Sequence, residues 1–140
     1  MKYFLLLILA ALILGYFITN KQQSKMAQND IKNEKLKNYS FLEGMYQDSY
    51  FPDFLVDKGR AILIELCIQI EEKKPKNLPE LYELTHAATQ KFNDLDEEFG
   101  ENDSEIETAG AVLIANDFEF IANAYGFDAD IEALIATRYW

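Results

Sequence analysis

Residues 61–70, AILIELCIQI, decide the fold. Only Glu65 and Gln69 interrupt the apolar run, and they stand four apart, with Glu72 one turn later. That spacing gathers the polar groups on one edge of an α-helix and leaves every other direction apolar. A helix so nearly apolar all round has to be surrounded by others, so this segment is read as the central helix of an all-α domain. Pro52 or Asp53 opens it, and the turn Lys73-Lys74-Pro75-Lys76 closes it.

Working outward, the neighbouring segments carry the same period. On the C-terminal side, Asn77 with Glu80 three residues later forms a capping box, and Pro79 is tolerated in the first turn. The next helix places Leu81, Thr85, Ala88, Phe92, Leu95 and Phe99 on one stripe and is expected to stop at Gly100. Ser104 with Glu107 is read as a second capping box, opening a helix to about Tyr125 with a stripe of Ile106, Gly110, Leu113, Phe120 and Ala124. Gly126 ends it, as glycine does where a left-handed residue closes a helix. Asp128 is expected to cap a last short helix over Ala129–Ala136. On the N-terminal side, Ser40 is expected to cap a short helix over Phe41–Gln47, succeeded by the aromatic turn Asp48–Pro52. No stretch alternates in the manner of a strand. The expected architecture is a compact bundle of four to five antiparallel helices behind an N-terminal hydrophobic helix.

The first 37 residues differ in kind. Tyr3–Ile18 holds sixteen residues without a charge, about 24 Å as a helix. Lys2 and Lys21 bracket it and are able to snorkel, so residues 1–20 are read as an uncleaved membrane anchor in preference to a cleaved signal segment. The lysine excess after the run favours a cytoplasmic domain, whereas a short signal-like segment exports the chain behind it; export is preferred. Residues 21–37 are polar and lysine-rich and read as a flexible or frayed-helical spacer, leaving 38–140 as the folded domain.

Charge is divided just as unevenly. Residues 1–37 carry six lysines against Asp30 and Glu34, a net +4; residues 38–140 carry seven Lys and Arg against twenty-two Asp and Glu, a net −15. Such a domain repels phosphate backbones, which argues against nucleic acid as a partner and in favour of a basic protein. The single cysteine, Cys67, excludes an internal disulfide and falls in the most apolar helix, where an inert core thiol is expected.

Several groups are candidate sites. Glu83 and His86 form an E-x-x-H, but a carboxylate-bridged di-iron bundle needs a second copy, and His86 is the sole histidine. Both residues also lie off the Leu81–Phe99 stripe, toward solvent or a helix flank. Tyr82, His86, Thr89 and Asn93 share that flank, either as a recognition surface or as a hydrogen-bonded seam with a neighbouring helix. The acidic run containing Glu97, Glu98, Glu101 and Asp103 lacks the glycine register of a calcium loop and is read as a solvated helix end or the docking face for a basic partner. Asp117 falls within an apolar stripe and requires partners there: Arg60, Arg138, a tyrosine hydroxyl or a helix N-terminus. No phosphate loop, nucleophile elbow or catalytic triad is present, so neither cofactor nor metal is called for, and an enzymatic role has little support.

From Asn38 onward the chain resembles a bacterial domain-of-unknown-function family (number 5713). The resemblance rests on MYQDSYFP (45–52), LVDKG (55–59), LTHAAT (84–89), FNDL (92–95), ENDSEIET (101–108), DFEFIA (117–122) and AYGFDADIE (124–132). It implies neither an activity nor a cofactor. Three functions stay open on the sequence. The first is a membrane-tethered acidic binding module, in its most concrete form an immunity-type protein neutralising a basic toxin or effector. The second is a ligand-binding or enzymatic domain built around Tyr82, His86 and Asp117. The third is a structural membrane-associated protein.

Overall fold

The helix through AILIELCIQI runs Asp53–Lys73 and touches most of the others, which is what an apolar perimeter demands. Its own Leu55, Val56, Gly59, Leu63, Ile64, Leu66, Cys67 and Ile70 are buried, while Glu65 and Glu72 stay exposed on the polar edge. In this computed structural model the backbone is described for residues 2–140 and side chains for 3–14 and 28–140. The described chain is all-helical, with no strand among the described residues. In order, the helices are α1 (Lys2–Asn29), α2 (Glu34–Lys37), α3 (Glu43–Tyr46), α4 (Asp53–Lys73), α5 (Leu78–Glu101), α6 (Glu107–Ala124) and α7 (Ile131–Leu134).

The main seam is α4 against α5. All six residues of the expected α5 stripe are buried, Leu81, Phe92 and Phe99 almost completely. Gly59 permits the close approach: a Cβ there would lie 2.9 Å from Leu42 Cδ1 and 3.1 Å from Phe92 Cε1. Behind the seam, α6 packs on α2, α3, α4 and α7, and α7 also meets α5. The buried face of α6 is the expected one only in part, since Ile106, Gly110 and Asp117 of the expected stripe are buried and the rest are not. Gly110, Ile114, Ala115, Asp117, Phe118, Ile121 and Ala122 point inward, whereas Leu113, Phe120 and Ala124 are half-buried at the margin. The helix is apolar on more than one side, so its neighbours rather than its period choose the inward face.

Helix ends divide in the same way. Asn77 Oδ1 accepts from Glu80 N at 3.0 Å, but Glu80 reaches back to Lys76 N (2.7 Å) rather than to its capping partner. Past α6, Gly126 adopts φ +85°, Gly126 N donates to Asn123 O (3.0 Å) and Phe127 N to Ala122 O (2.9 Å). This is the paired closure of a Schellman turn, which only glycine adopts without strain.

Other caps are replaced. Ser104 does not cap α6; its hydroxyl donates to Tyr50 O (2.8 Å), and Asp96 from α5 accepts Ile106 N (2.9 Å) instead. Asp130, not Asp128, accepts from the start of α7 (Glu132 N, 3.4 Å), and that helix is only one turn long. Ser40 does not start α3 either. Leu42 occupies that place in the left-handed region (φ 57°).

Two corrections concern the N-terminal region. The membrane anchor expected over Tyr3–Ile18, and the exported location inferred from it, are overturned: among the described residues no helix is long and apolar enough to cross a membrane. The described apolar side chains there, Tyr3–Leu14, are exposed and cover about 18 Å of helix, against roughly 30 Å of hydrocarbon. The side chains of residues 15–18, and those of 21–27 in the expected spacer, lie outside the described residues. The rest of the expected spacer is not free chain, because Gln28, Ile31 and Leu36 are buried in the core. Packing therefore begins ahead of residue 38.

Candidate functional site

Asp117 anchors the most organised polar group in the fold. The α6 backbone carries it into the apolar layer, where only 5 % of it is exposed. There it accepts from Tyr39 Oη and from Leu42 N, both at 2.7 Å. Two of the partner types expected from sequence are thus present, a tyrosine hydroxyl and the N-terminus of a helix. The two arginines are engaged elsewhere: Arg60 with Gln28 Oε1 and Arg138 with Glu132 (3.0 Å). Burial raises the Asp117 pKa, while the two hydrogen bonds pull it back down. Tyr39 responds in the same sense, its hydroxyl held protonated by burial and by the carboxylate it serves. Its ring stacks on Phe120 at 4.3 Å between centroids.

Around the 38–43 segment lie two clefts. One, about 510 Å³, is bordered by Lys35, Ser40, Glu43, Asn116 and Asp117. The second, about 710 Å³, opens on the other side of the segment, toward Gln28, Lys37, Tyr46 and Arg60. Tyr39 and Asn38 line both. The volumes fall in the range of small-molecule sites.

Tyr82, His86 and Asn93 line neither cleft. His86 Nε2 meets Ala133 O at 2.8 Å, and its ring lies parallel to that of Tyr82. Asn93 donates to Thr137 O (3.0 Å) and accepts from Tyr139 N (2.9 Å). The polar flank of α5 is therefore bonded to the backbone of the C-terminal segment, and Trp140 lies on Phe92 beyond it. His86 and Asp117 serve different parts of the molecule, and the structure does not bring Tyr82, His86 and Asp117 together. Replacing His86 with alanine is expected to cost about 1 kcal/mol, the value of one partly buried hydrogen bond. Denaturant titration checks this; a loss of several kcal/mol would mean that the C-terminal segment depends on His86 far more than one contact accounts for.

The acidic candidates lie on another face. Glu97, Glu101 and Asp103 are exposed, and Glu98 is half-buried and paired with Lys58 at 2.6 Å. Among the described residues, no group of three or more His, Cys, Asp and Glu is placed to hold a metal ion. Cys67 is buried, and burial together with the nearby Glu71 pushes its thiol up to about 12, so it is a poor nucleophile.

Reading the sequence missed one carboxylate. Glu71 accepts from Lys32 N (2.8 Å), Asn33 N (3.2 Å) and Tyr125 Oη (2.5 Å), closing the α1–α2 connection onto α4 and the end of α6. Asn33 strengthens the same junction through Ala124 O at 2.9 Å. Burial opposes charge on Glu71, yet the three donors outweigh it and leave its pKa below the usual carboxylate value. A signal was available, since Glu71 succeeds Ile64 and Cys67 at helical spacing and so falls on the buried stripe.

With this geometry in place, kinship is clear. The chain belongs to the family described as "Family of unknown function (DUF5713)", whose model matches residues 35–140. No curated protein and no solved structure matches the chain.

Proposed function

We propose that this member of the family is a binding module that captures a basic protein on the exposed acidic face formed by the C-terminal half of α5 and the loop after it. In its most concrete form it is an immunity-type protein that neutralises a basic toxin or effector. One observation carries the reading. Of the twenty-two carboxylates in residues 38–140, only Glu65, Glu98 and Glu132 form ion pairs among the described residues, leaving Glu97, Glu101 and Asp103 exposed and unmatched. Uncompensated charge of one sign repels itself within the fold, but it accelerates encounter with a partner of opposite sign and selects against acidic ones.

The test is capture by the immobilised full chain, with elution as salt is raised. Basic proteins are expected to be retained at low salt and released as screening grows, because exposed charges act over no more than about a Debye length. The triple substitution Glu97→Lys, Glu101→Lys, Asp103→Lys is expected to abolish retention while leaving the melting temperature close to that of the parent. Retention indifferent to salt, or unchanged in the reversed variant, would remove the basis of the proposal.

A further inference from the structure

Of the two arginines in this carboxylate-rich chain, Arg60 is the one that forms no ion pair among the described residues. Arg138, Lys58 and Lys91 each meet a glutamate. Arg60, half-buried on α4, instead donates through Nη2 to the neutral amide oxygen of Gln28. The residues whose side chains are not described, 1–2 and 15–27, contain no Asp or Glu, so no carboxylate partner comes from them. Asp57, one turn earlier on the same helix, is taken by the Tyr46 hydroxyl at 2.6 Å.

Arg60 borders the larger cleft, and a second cation with no carboxylate partner among the described residues borders it too, the half-buried Lys37 of α2. Glu43, an exposed residue, is the one carboxylate on its rim among the described residues. Tyr39, Phe41 and Tyr46 supply apolar wall. A guanidinium has five N–H donors in a fixed plane, and among the described residues one bond from Arg60 is accounted for. Its planar fork matches a carboxylate in two parallel hydrogen bonds. The net −15 of the folded part works against any anion in proportion to the anion's charge, which favours a singly charged group over a phosphate dianion.

The geometry points to the cleft between Arg60 and Lys37 as a binding site for a small molecule bearing a single carboxylate, the carboxylate on Arg60 and an apolar remainder against the aromatic wall. None of the acidic-face residues lines this cleft, so this inference and the capture of a basic protein fail independently.

The experiment is an amide NMR titration of the full chain with sodium benzoate, inorganic phosphate and sodium chloride at matched ionic strength. Benzoate is expected to give saturable shifts in the millimolar range, concentrated at residues 37–47 and 60. Arg60→Gln is expected to weaken it by about tenfold or more, and Lys37→Gln by a smaller factor. Shifts no larger than those given by chloride, or an affinity unchanged in both variants, would overturn the site. Phosphate binding tighter than benzoate would overturn the carboxylate assignment. If Arg60→Gln loses its fold, Lys37→Gln decides alone, weaker binding supporting the site and equal binding refuting it.

Discussion

Phe92→Ala is expected to lower unfolding free energy by about 4 kcal/mol, the cost of deleting a large buried aromatic from a packed core. The ring is 1 % exposed and sits where three elements meet. It faces the gap left by Gly59 on α4, where a Cβ would lie 3.1 Å away. The Phe118 ring is 5.9 Å from it on α6, and Trp140 is 6.1 Å away at the end of the C-terminal segment. No single neighbour is free to move into the space, because each is fixed by a different element, so relaxation is limited and the cavity term stays large. Domains of this size have only about 5–15 kcal/mol in total, so the variant should unfold at a far lower denaturant concentration with its slope unchanged. A loss below about 1 kcal/mol would mean that the α4–α5 seam is not packed as described.

The second large effect is expected at Asp117. Its replacement by alanine leaves Leu42 N without an acceptor in a buried place and frees Tyr39 Oη, which is half-buried and able to reach water. A buried orphan donor costs about 1–3 kcal/mol and a lost charge-assisted bond a similar amount. Against this stands the relief of desolvating a carboxylate, so a net loss of about 3 kcal/mol is expected in denaturant titration. Leu42 offsets part of the loss, since its bond to Asp117 holds it in the left-handed region, a strain of about 1–2 kcal/mol for a leucine that the variant is free to relax. Asp117→Asn keeps one acceptor and is expected to fall between the parent and the alanine variant. An alanine variant as stable as the parent would show that the carboxylate is not the tether described.

The pH dependence arises from the same residue. Burial raises the Asp117 pKa above its unfolded value, so its contribution is fully present below the unfolded pKa of about 3.9 and is lost as pH rises through the folded pKa. Glu71 runs the opposite way: its pKa is lowered, so its contribution is present above about 4.3 and is lost as pH falls through the folded value. Melting temperatures measured across this range should show the parent losing stability relative to Asp117→Asn on the rise through the window above about 4. The parent should also lose its advantage over Glu71→Gln on the fall below it. Parallel curves for either variant would contradict the corresponding assignment.

Membership of a family of unknown function fixes kinship without fixing chemistry, so both functional readings rest on where charge lies. The acidic face was visible in the residue order, because exposed helix ends rich in carboxylates need no tertiary information to be recognised. The Arg60–Lys37 cleft was not. Its two cations lie twenty-three residues apart on α2 and α4, and nothing in their spacing relates them.

What the sequence determined alone was local: the helical period, the apolar perimeter of 61–70, the α5 stripe, the cap by Asn77 and the closing glycine at 126. Each depends on residues within one or two turns of each other, and those distances are fixed by helix geometry. Tertiary structure decided the rest. It chose the inward face of α6, gave α6 its cap from Asp96 and α3 its hold from Asp117, drew Ile31 and Leu36 into the core, and bonded the His86 flank to the C-terminal segment. These choices share one cause. A helix that is apolar on several sides, or a polar group able to bond with several partners, settles only when long-range packing brings the partners within reach.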